Sequence, residues 1–581
     1  MDESGNRSGV TRAVTRHLGR AVAVLVTCAL FVGVIAALVH HRGPAPAPAA
    51  SAAITLHPGH LTTTTRPFLG PAQSLGQAAP GPATFEGADG VEAPWVVAEN
   101  QLPGTTSWII PPTVTAGRIA GFADLTDASV GDTVKLYVST AAPTFHVVAY
   151  RMGWYQGTGA RQVWVSGEAT GGVQPACPVT PVVNMVSCDT WTSTLSFPVT
   201  PAFVQGDYLL KLVGSDGQEG YVPLTVSAPT STATYLVINR SFTEQGWNTY
   251  GGFSFYQGQG PCPAGSNAYP VCNRARVVSF DRPYDTGNGA SDFLGDEFPL
   301  IQFCERHGLD VTYASDVAID ATPQLALHHK VLLSLGHDET WSYGERLAAQ
   351  TAQADGANIV FFGSAAVLRH VRMQPSPLGP GREEVNYRDS SEDPLNGHGN
   401  PLEVTGNTWS SPPASWSEIP FVGELYSGYL RGTDSVPFVV YDSSAWPFAG
   451  TGVHDGSQLA GVVMSDVDHL AAPASTPADL QVLGHSPIPV ADIYTNQGTW
   501  SGLSYSDMTY YTDPKGNGGV IDTGTVNWIA AMGPCPAAVT DCPAGTLQRI
   551  TGNILRVFGQ GPAGVAAPSV ANWQSVRPAS S

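Results

Sequence analysis

The chain has 581 residues, with 27 Lys+Arg against 47 Asp+Glu and a formal net charge of −20. A field of that sign repels phosphate backbones and argues against a nucleic-acid partner. Only 13% of residues are charged while Gly (64) and Pro (47) are abundant, a balance that favours turns and short strands over long charged helices.

The N-terminus carries a membrane signal. Residues 1–20 form a basic tail with Arg7, Arg12, Arg16 and Arg20, and residues 21–39 (AVAVLVTCALFVGVIAALV) are without charge. A helix needs ~20 such residues to cross the hydrocarbon of a bilayer. Basic residues stay on the cytoplasmic side, so a transmembrane helix is expected at 21–39 with the rest of the chain outside. The run exceeds a signal-peptide core, and His40-His41-Arg42 is a poor cleavage flank, which favours a retained anchor over a cleaved leader. Residues 40–93, rich in Pro and Ala, are expected to be a semi-extended stalk.

Between residues 94 and 228 the hydrophobic period is two. In 132–140 (DTVKLYVST) Val134, Leu136 and Val138 alternate with Lys135, Tyr137 and Ser139, the pattern of a half-buried strand. Similar runs at 145–150, 162–165, 208–213 and 221–226 predict an all-β, immunoglobulin-like sandwich.

The pattern changes in 233–565. The continuous apolar run YLVIN (235–239) reads as a buried parallel strand and is followed by a long Gly/aromatic loop. Residues 296–308 (DEFPLIQFCERHG) read as a helix stopped by Gly308, and 343–354 as a second helix. Strands are expected at 310–313, 331–335 and 358–362. Alternating β and α elements predict an α/β class: a doubly wound, mostly parallel sheet with amidotransferase- or flavodoxin-like layers. Residues 380–530 read as loops and extra strands around that sheet, 547–558 as an amphipathic helix, and 566–581 as a tail.

Six of eight cysteines form local pairs, 177/188, 262/272 and 535/542. They lack zinc spacing, so three local disulfides in an oxidising compartment are expected. Cys304, in LIQFCE, is expected to be a small buried hydrophobe.

Ligands of open α/β sheets bind beyond the carboxyl ends of the strands. There the 331–335 strand runs into His337, Asp338 and Glu339, which can supply a general base, an orienting carboxylate or a metal ligand. The equal alternative is a capped helix start, with Asp338 or Thr340 as the cap. The loop after 239 offers Trp247, Asn248, Tyr250 and Tyr256 as pocket-lining groups. Arg282 either clamps a polar substrate or bridges Asp281 or Asp292. No cysteine sits in the turn after 358–362, and no G-x-S-x-G follows a strand, which disfavours a cysteine amidotransferase and a serine hydrolase.

Several segments carry a resemblance: SDFLGDEFPLIQFCERHGLDVTYASDV (291–317), LLSLGHDETWS (332–342), GANIVFFGSAAVLRHVRMQPS (356–376), NTYGGFSFY (248–256) and DMTYYTDPKGNGGVIDTGTVNW (507–528). The chain resembles the N,N-dimethylformamidase large (β) subunit-like family. The resemblance implies amide C–N hydrolysis at one iron ion held by two tyrosines and a glutamate, a hard-oxygen set suited to a Lewis-acidic ion. It implies Glu339 as the glutamate, Tyr256 as one tyrosine and Tyr250 as a stand-in for the other. Relatives often carry a Tyr-Asn pair where this chain has Trp247-Asn248, and indole cannot replace a phenolate. The expected partners are the membrane, through the N-terminal helix, and a small-molecule amide. The alternatives are a non-catalytic module binding a cell-surface glycan, peptide or wall fragment, and a metal-free hydrolase using Asp338 and Glu339.

Overall fold

Alternation along Thr133–Thr140 is what places that strand. Val134, Leu136 and Val138 point into a shared apolar core with Phe145, Val147, Leu210 and Leu212. A computed structural model describes residues 84–576, apart from 263–271, 433, 472–474, 490–491, 495–502 and 536–540. In it Thr133–Thr140 pairs antiparallel with Ile119–Ala123 and Leu195–Pro198. A second sheet, centred on Gly206–Gly214, faces the same core, with Glu219–Val226 and Thr144–Met152 as antiparallel neighbours. The opposite face of the first sheet is covered too: Tyr137 stacks on Phe122 at 4.8 Å, beside Trp191.

The largest sheet has seven strands. In spatial order they are Val311–Ser315, Tyr235–Asn239, Val331–Gly336, Asn358–Gly363, Gly519–Asp522, Leu503–Thr512 and Gln481–Pro489. The first five are parallel and the last two antiparallel. Three of the parallel strands, Tyr235–Asn239, Val331–Gly336 and Asn358–Gly363, are mostly apolar because both their faces are buried.

The expected class is corrected by this architecture. The chain is not a doubly wound α/β fold behind a sandwich. It is mostly strand, spread among the described residues over eight sheets, and helix is the minor component. The extra strands expected within 380–530 form hairpins and small sheets, Glu424–Leu430 with Asp466–Leu470 and Ser435–Val439 with Gln458–Met464, and a further hairpin pairs Arg369–Ser376 with Gly379–Val385. Each of these pairings contains a register shift. An extra residue in one strand breaks the period-two alternation by which a strand is recognised. The expected transmembrane helix at 21–39 and the stalk lie outside the described residues, apart from the stalk's last ten positions. Among the described residues no helix is long and apolar enough to cross a membrane.

Three disulfides close local loops: Cys177–Cys188, Cys262–Cys272 and Cys535–Cys542. Cys304 is free and buried in the main core. Its helix, Phe298–Arg306, starts with Pro299 in its first turn and ends before Gly308, whose φ of +64° is the left-handed stop.

Candidate functional site

The carboxyl ends of the five parallel strands deliver Arg240, Asp316, His337 and Asp522 to one rim. Gly336 has a φ of +56° and turns the chain sharply out of the sheet. The next residues do not start a helix. Thr340–Ser342 is a short strand pairing in parallel with Arg369–Val371, and the cap of the following helix is Ser342, whose hydroxyl accepts from the Glu345 N–H at 3.1 Å. His337, Asp338 and Glu339 are thus released from capping duty.

The Thr340–Arg369 register sets the electrostatics. Arg369 donates its backbone N–H to the Glu339 carbonyl at 2.7 Å and its Nε to Glu339 Oε1 at 3.0 Å. Glu339 Oε2 accepts from Trp247 Nε1 at 3.1 Å and from the Tyr256 hydroxyl. Trp247 comes from the end of a helix, Ser241–Trp247, that occupies what reads as a loop. Its indole stacks on Tyr256 at 3.6 Å and is 40% exposed, so it forms the outer wall of the site. The Arg388 guanidinium lies 4.1 Å over the other aromatic of the pair, Tyr256. Burial alone would raise the Glu339 pKa, but the charges of Arg369 and Arg388, with that of His337 when it is protonated, outweigh it and hold the carboxyl down at about 2. Burial and the Glu339 charge push the Tyr256 phenol up, so it stays a hydrogen-bond donor.

His337 places Nε2 3.6 Å from Glu339 Oε2, and that nitrogen is buried without a hydrogen-bond partner. Asp338 turns the other way: it accepts from Ser334 Oγ at 2.7 Å, and burial raises its carboxyl to about 6. Beside His337 lies a pair that sequence reading missed. Asp468 and Asp522 are buried against each other. Burial raises Asp468 to about 7 and, with the Asp468 charge, raises Asp522 further. Two carboxyls in that relation share one proton near neutrality.

The remaining candidates are not gathered here. Arg282 is buried with all five N–H groups spent, on Gln245 Oε1 and on the carbonyls of Gln245, Asn248, Tyr250 and Phe253. It bridges neither Asp281 nor Asp292; Asp281 pairs with Arg382 at 2.8 Å. Asn248 ties Gln245 Oε1 to the Pro283 carbonyl. Both residues fix the turn that carries Trp247. Tyr250 packs toward Phe122, Tyr137 and Trp191 on the sandwich side. Arg369, Arg388, Asp468 and Asp522 come from distant segments with no local motif: Arg369 opens a strand, Asp522 closes one, Asp468 lies within one and Arg388 follows one.

The sequence profile of the N,N-dimethylformamidase beta subunit-like, C-terminal family matches residues 146–542. The chain belongs to that family. None of the curated proteins compared with it matches. Among solved structures, a Paenibacillus sp. cycloisomaltooligosaccharide glucanotransferase complexed with cycloisomaltoheptaose is 14% identical, over 22% of this chain and 16% of that one, with a TM-score of 0.13. A likeness so short and loose bears on neither fold nor ligand.

For this family member the residues do not fit an iron ion held by two tyrosinates and a glutamate. Glu339 and Tyr256 meet, but Tyr250 makes no hydrogen bond to the carboxylate, and the third group there is the Trp247 N–H, a donor with no lone pair to give. Arg369 already neutralises Glu339.

Proposed function

We propose that the protein hydrolyses an amide C–N bond in an oxidising compartment outside the cytoplasm. Family membership supports the reaction class, and the three disulfides support the compartment. The observation that carries the reading is the buried His337–Glu339 pair, an imidazole with Nε2 unengaged beside a carboxylate kept ionised. In this reading His337 takes a proton from water, and Glu339 stabilises the imidazolium that forms. The resulting hydroxide adds to the amide carbonyl. The C–N bond breaks as the nitrogen is protonated, with the proton held between Asp468 and Asp522 as the source; a carboxylic acid and an amine are released, and the proton on His337 passes back to the Asp468–Asp522 pair to restore the starting state. The test is release of amine from formamide, N-methylformamide, N,N-dimethylformamide and acetamide by the purified protein. Turnover of at least one is expected, falling ~10²–10⁴-fold in His337→Ala, the scale of lost acid–base catalysis. No amine from the folded wild type, or an unchanged rate in His337→Ala, overturns the reading.

A second reading rests on Trp247. An exposed indole fixed over a buried carboxylate is also a platform for a non-catalytic surface module binding a glycan, peptide or wall fragment. Saturable ligand binding without any turnover is the outcome that selects it.

A further inference from the structure

A separate cleft lies over the edge strand of the seven-stranded sheet. Its volume is about 780 Å³, it opens widely to solvent, and it shares no residue with the Glu339 site. Strand register builds its floor. His485 sits directly opposite Asp507, and Pro487 opposite Tyr505, so the His485, Tyr505 and Asp507 side chains share one face. Asp507 is buried and contacts His485 Nδ1 at 2.6 Å, while its second oxygen accepts the Leu470 N–H at 2.7 Å. The imidazole is thereby fixed, with Nε2 left on the ring's far side. Tyr505 stacks on it at 4.1 Å with an interplanar angle of 17°, and Tyr441 meets it edge-on at 6.1 Å. Asp442 and Asp455 complete the polar wall, and Tyr441 is held by Ser575 at 2.8 Å.

The composition of this wall selects a ligand class. Among the described residues no Lys or Arg lines the cleft, which disfavours phosphate, sulfate or carboxylate ligands. A cation over a single ring face at so open a site gains little. Here the imidazole and phenol cover each other and Tyr441 offers an edge, so only the outer faces of one stack remain. A single flat aromatic platform flanked by carboxylates suits a ring with an apolar face and a rim of hydroxyl donors. Asp442 already accepts from Gln481 and Ser444, and Asp455 from the Ser443 N–H, so both carboxylates are held in place with lone pairs to spare. We propose that this cleft binds a neutral sugar ring, with Tyr505 and His485 as the stacking platform and Asp442 and Asp455 as acceptors for its hydroxyls.

Calorimetric titration of the purified full-length chain tests the assignment. The probes are maltohexaose, cellohexaose, xylohexaose and chitohexaose, with tetramethylammonium as the cationic comparison. At least one oligosaccharide is expected to bind with a millimolar or tighter Kd. Tyr505→Ala should weaken it at least about tenfold, and Tyr505→Phe, which keeps the ring, should retain it. Asp455→Asn, at an exposed position, should weaken binding without disturbing the fold. The proposal is overturned if no probe sugar binds up to about 10 mM, beyond the weak end of specific affinity. It is overturned equally if Tyr505→Ala binds as the wild type does, or if tetramethylammonium is the probe that binds.

Discussion

Glu339 is the most constrained residue of the site, because two cationic side chains, an indole and a phenol all address one carboxylate. Removing it leaves Arg369 buried without its partner, which costs about 3–5 kcal/mol. Glu339→Ala should therefore lower the thermal midpoint sharply, whereas Arg282→Lys should act only on the turn that carries Trp247. The depressed Glu339 pKa means that its stabilising contribution is present above the ordinary carboxylate range and is lost as pH falls toward 2. The same donor set makes a statement about metal. Protein loaded with ferric or ferrous salt is expected to retain no stoichiometric iron and to show no tyrosinate-to-iron band; near-stoichiometric iron with such a band would refute the donor assignment. At this scale the sequence was partly legible. Glu339, His337, Tyr256 and Trp247 were visible because they follow strands or sit among aromatics. Arg369 was not, since only the pairing of Thr340 with Arg369 brings its guanidinium to the carboxylate.

The rim depends on how closely two strands end together. Gly336 and Gly363 are partners in register, and a Cβ at Gly363 would lie 1.5 Å from the Gly336 carbonyl oxygen. Backbone cannot yield there, so Gly363→Ala should destabilise by about 3 kcal/mol or more, at the top of the overpacking range, and should displace His337 as well. Denaturant unfolding checks the first effect. A change of less than about 0.5 kcal/mol, the scale of a neutral surface substitution, would show that the two strand ends are free to separate. Ser342→Ala is the milder control, expected to cost about 1 kcal/mol through the lost cap. Elements with a strong local pattern were readable: the helix Ala544–Gly559 by the amphipathic period of 547–558, the strand Tyr235–Asn239 by its unbroken apolar run. The hairpins between 369 and 489 were not, because bulges and glycines interrupt their alternation.

On the scale of the whole molecule, the class was misjudged because period and length describe one element at a time, whereas the many sheets arise from pairings between distant segments. A second global property was equally hidden. Burial raises a series of carboxyls: Asp207 to about 8, Glu297, Asp468 and Glu383 to about 7, and Asp127 and Asp338 to about 6. A carboxyl with a raised folded pKa favours the folded state fully below its ordinary range, and that advantage is lost as pH rises through the folded value. The thermal midpoint is expected to fall between pH 5 and pH 8, a window set by those values. A midpoint that rises over the same interval would contradict the buried, protonated state of these groups.

The disulfide pattern has a consequence for biogenesis. Each bonded cysteine is joined to the next bonded cysteine along the chain, at separations of 11, 10 and 7 residues. If the protein is exported, as proposed above, and these segments cross the membrane in chain order, each thiol meets its correct mate almost at once, before the following pair has emerged. Oxidation can proceed in the order of export, and the demand on an isomerase that reshuffles wrong pairs is low. Cys304, emerging between the second and third pairs, is withdrawn into the core once its helix packs.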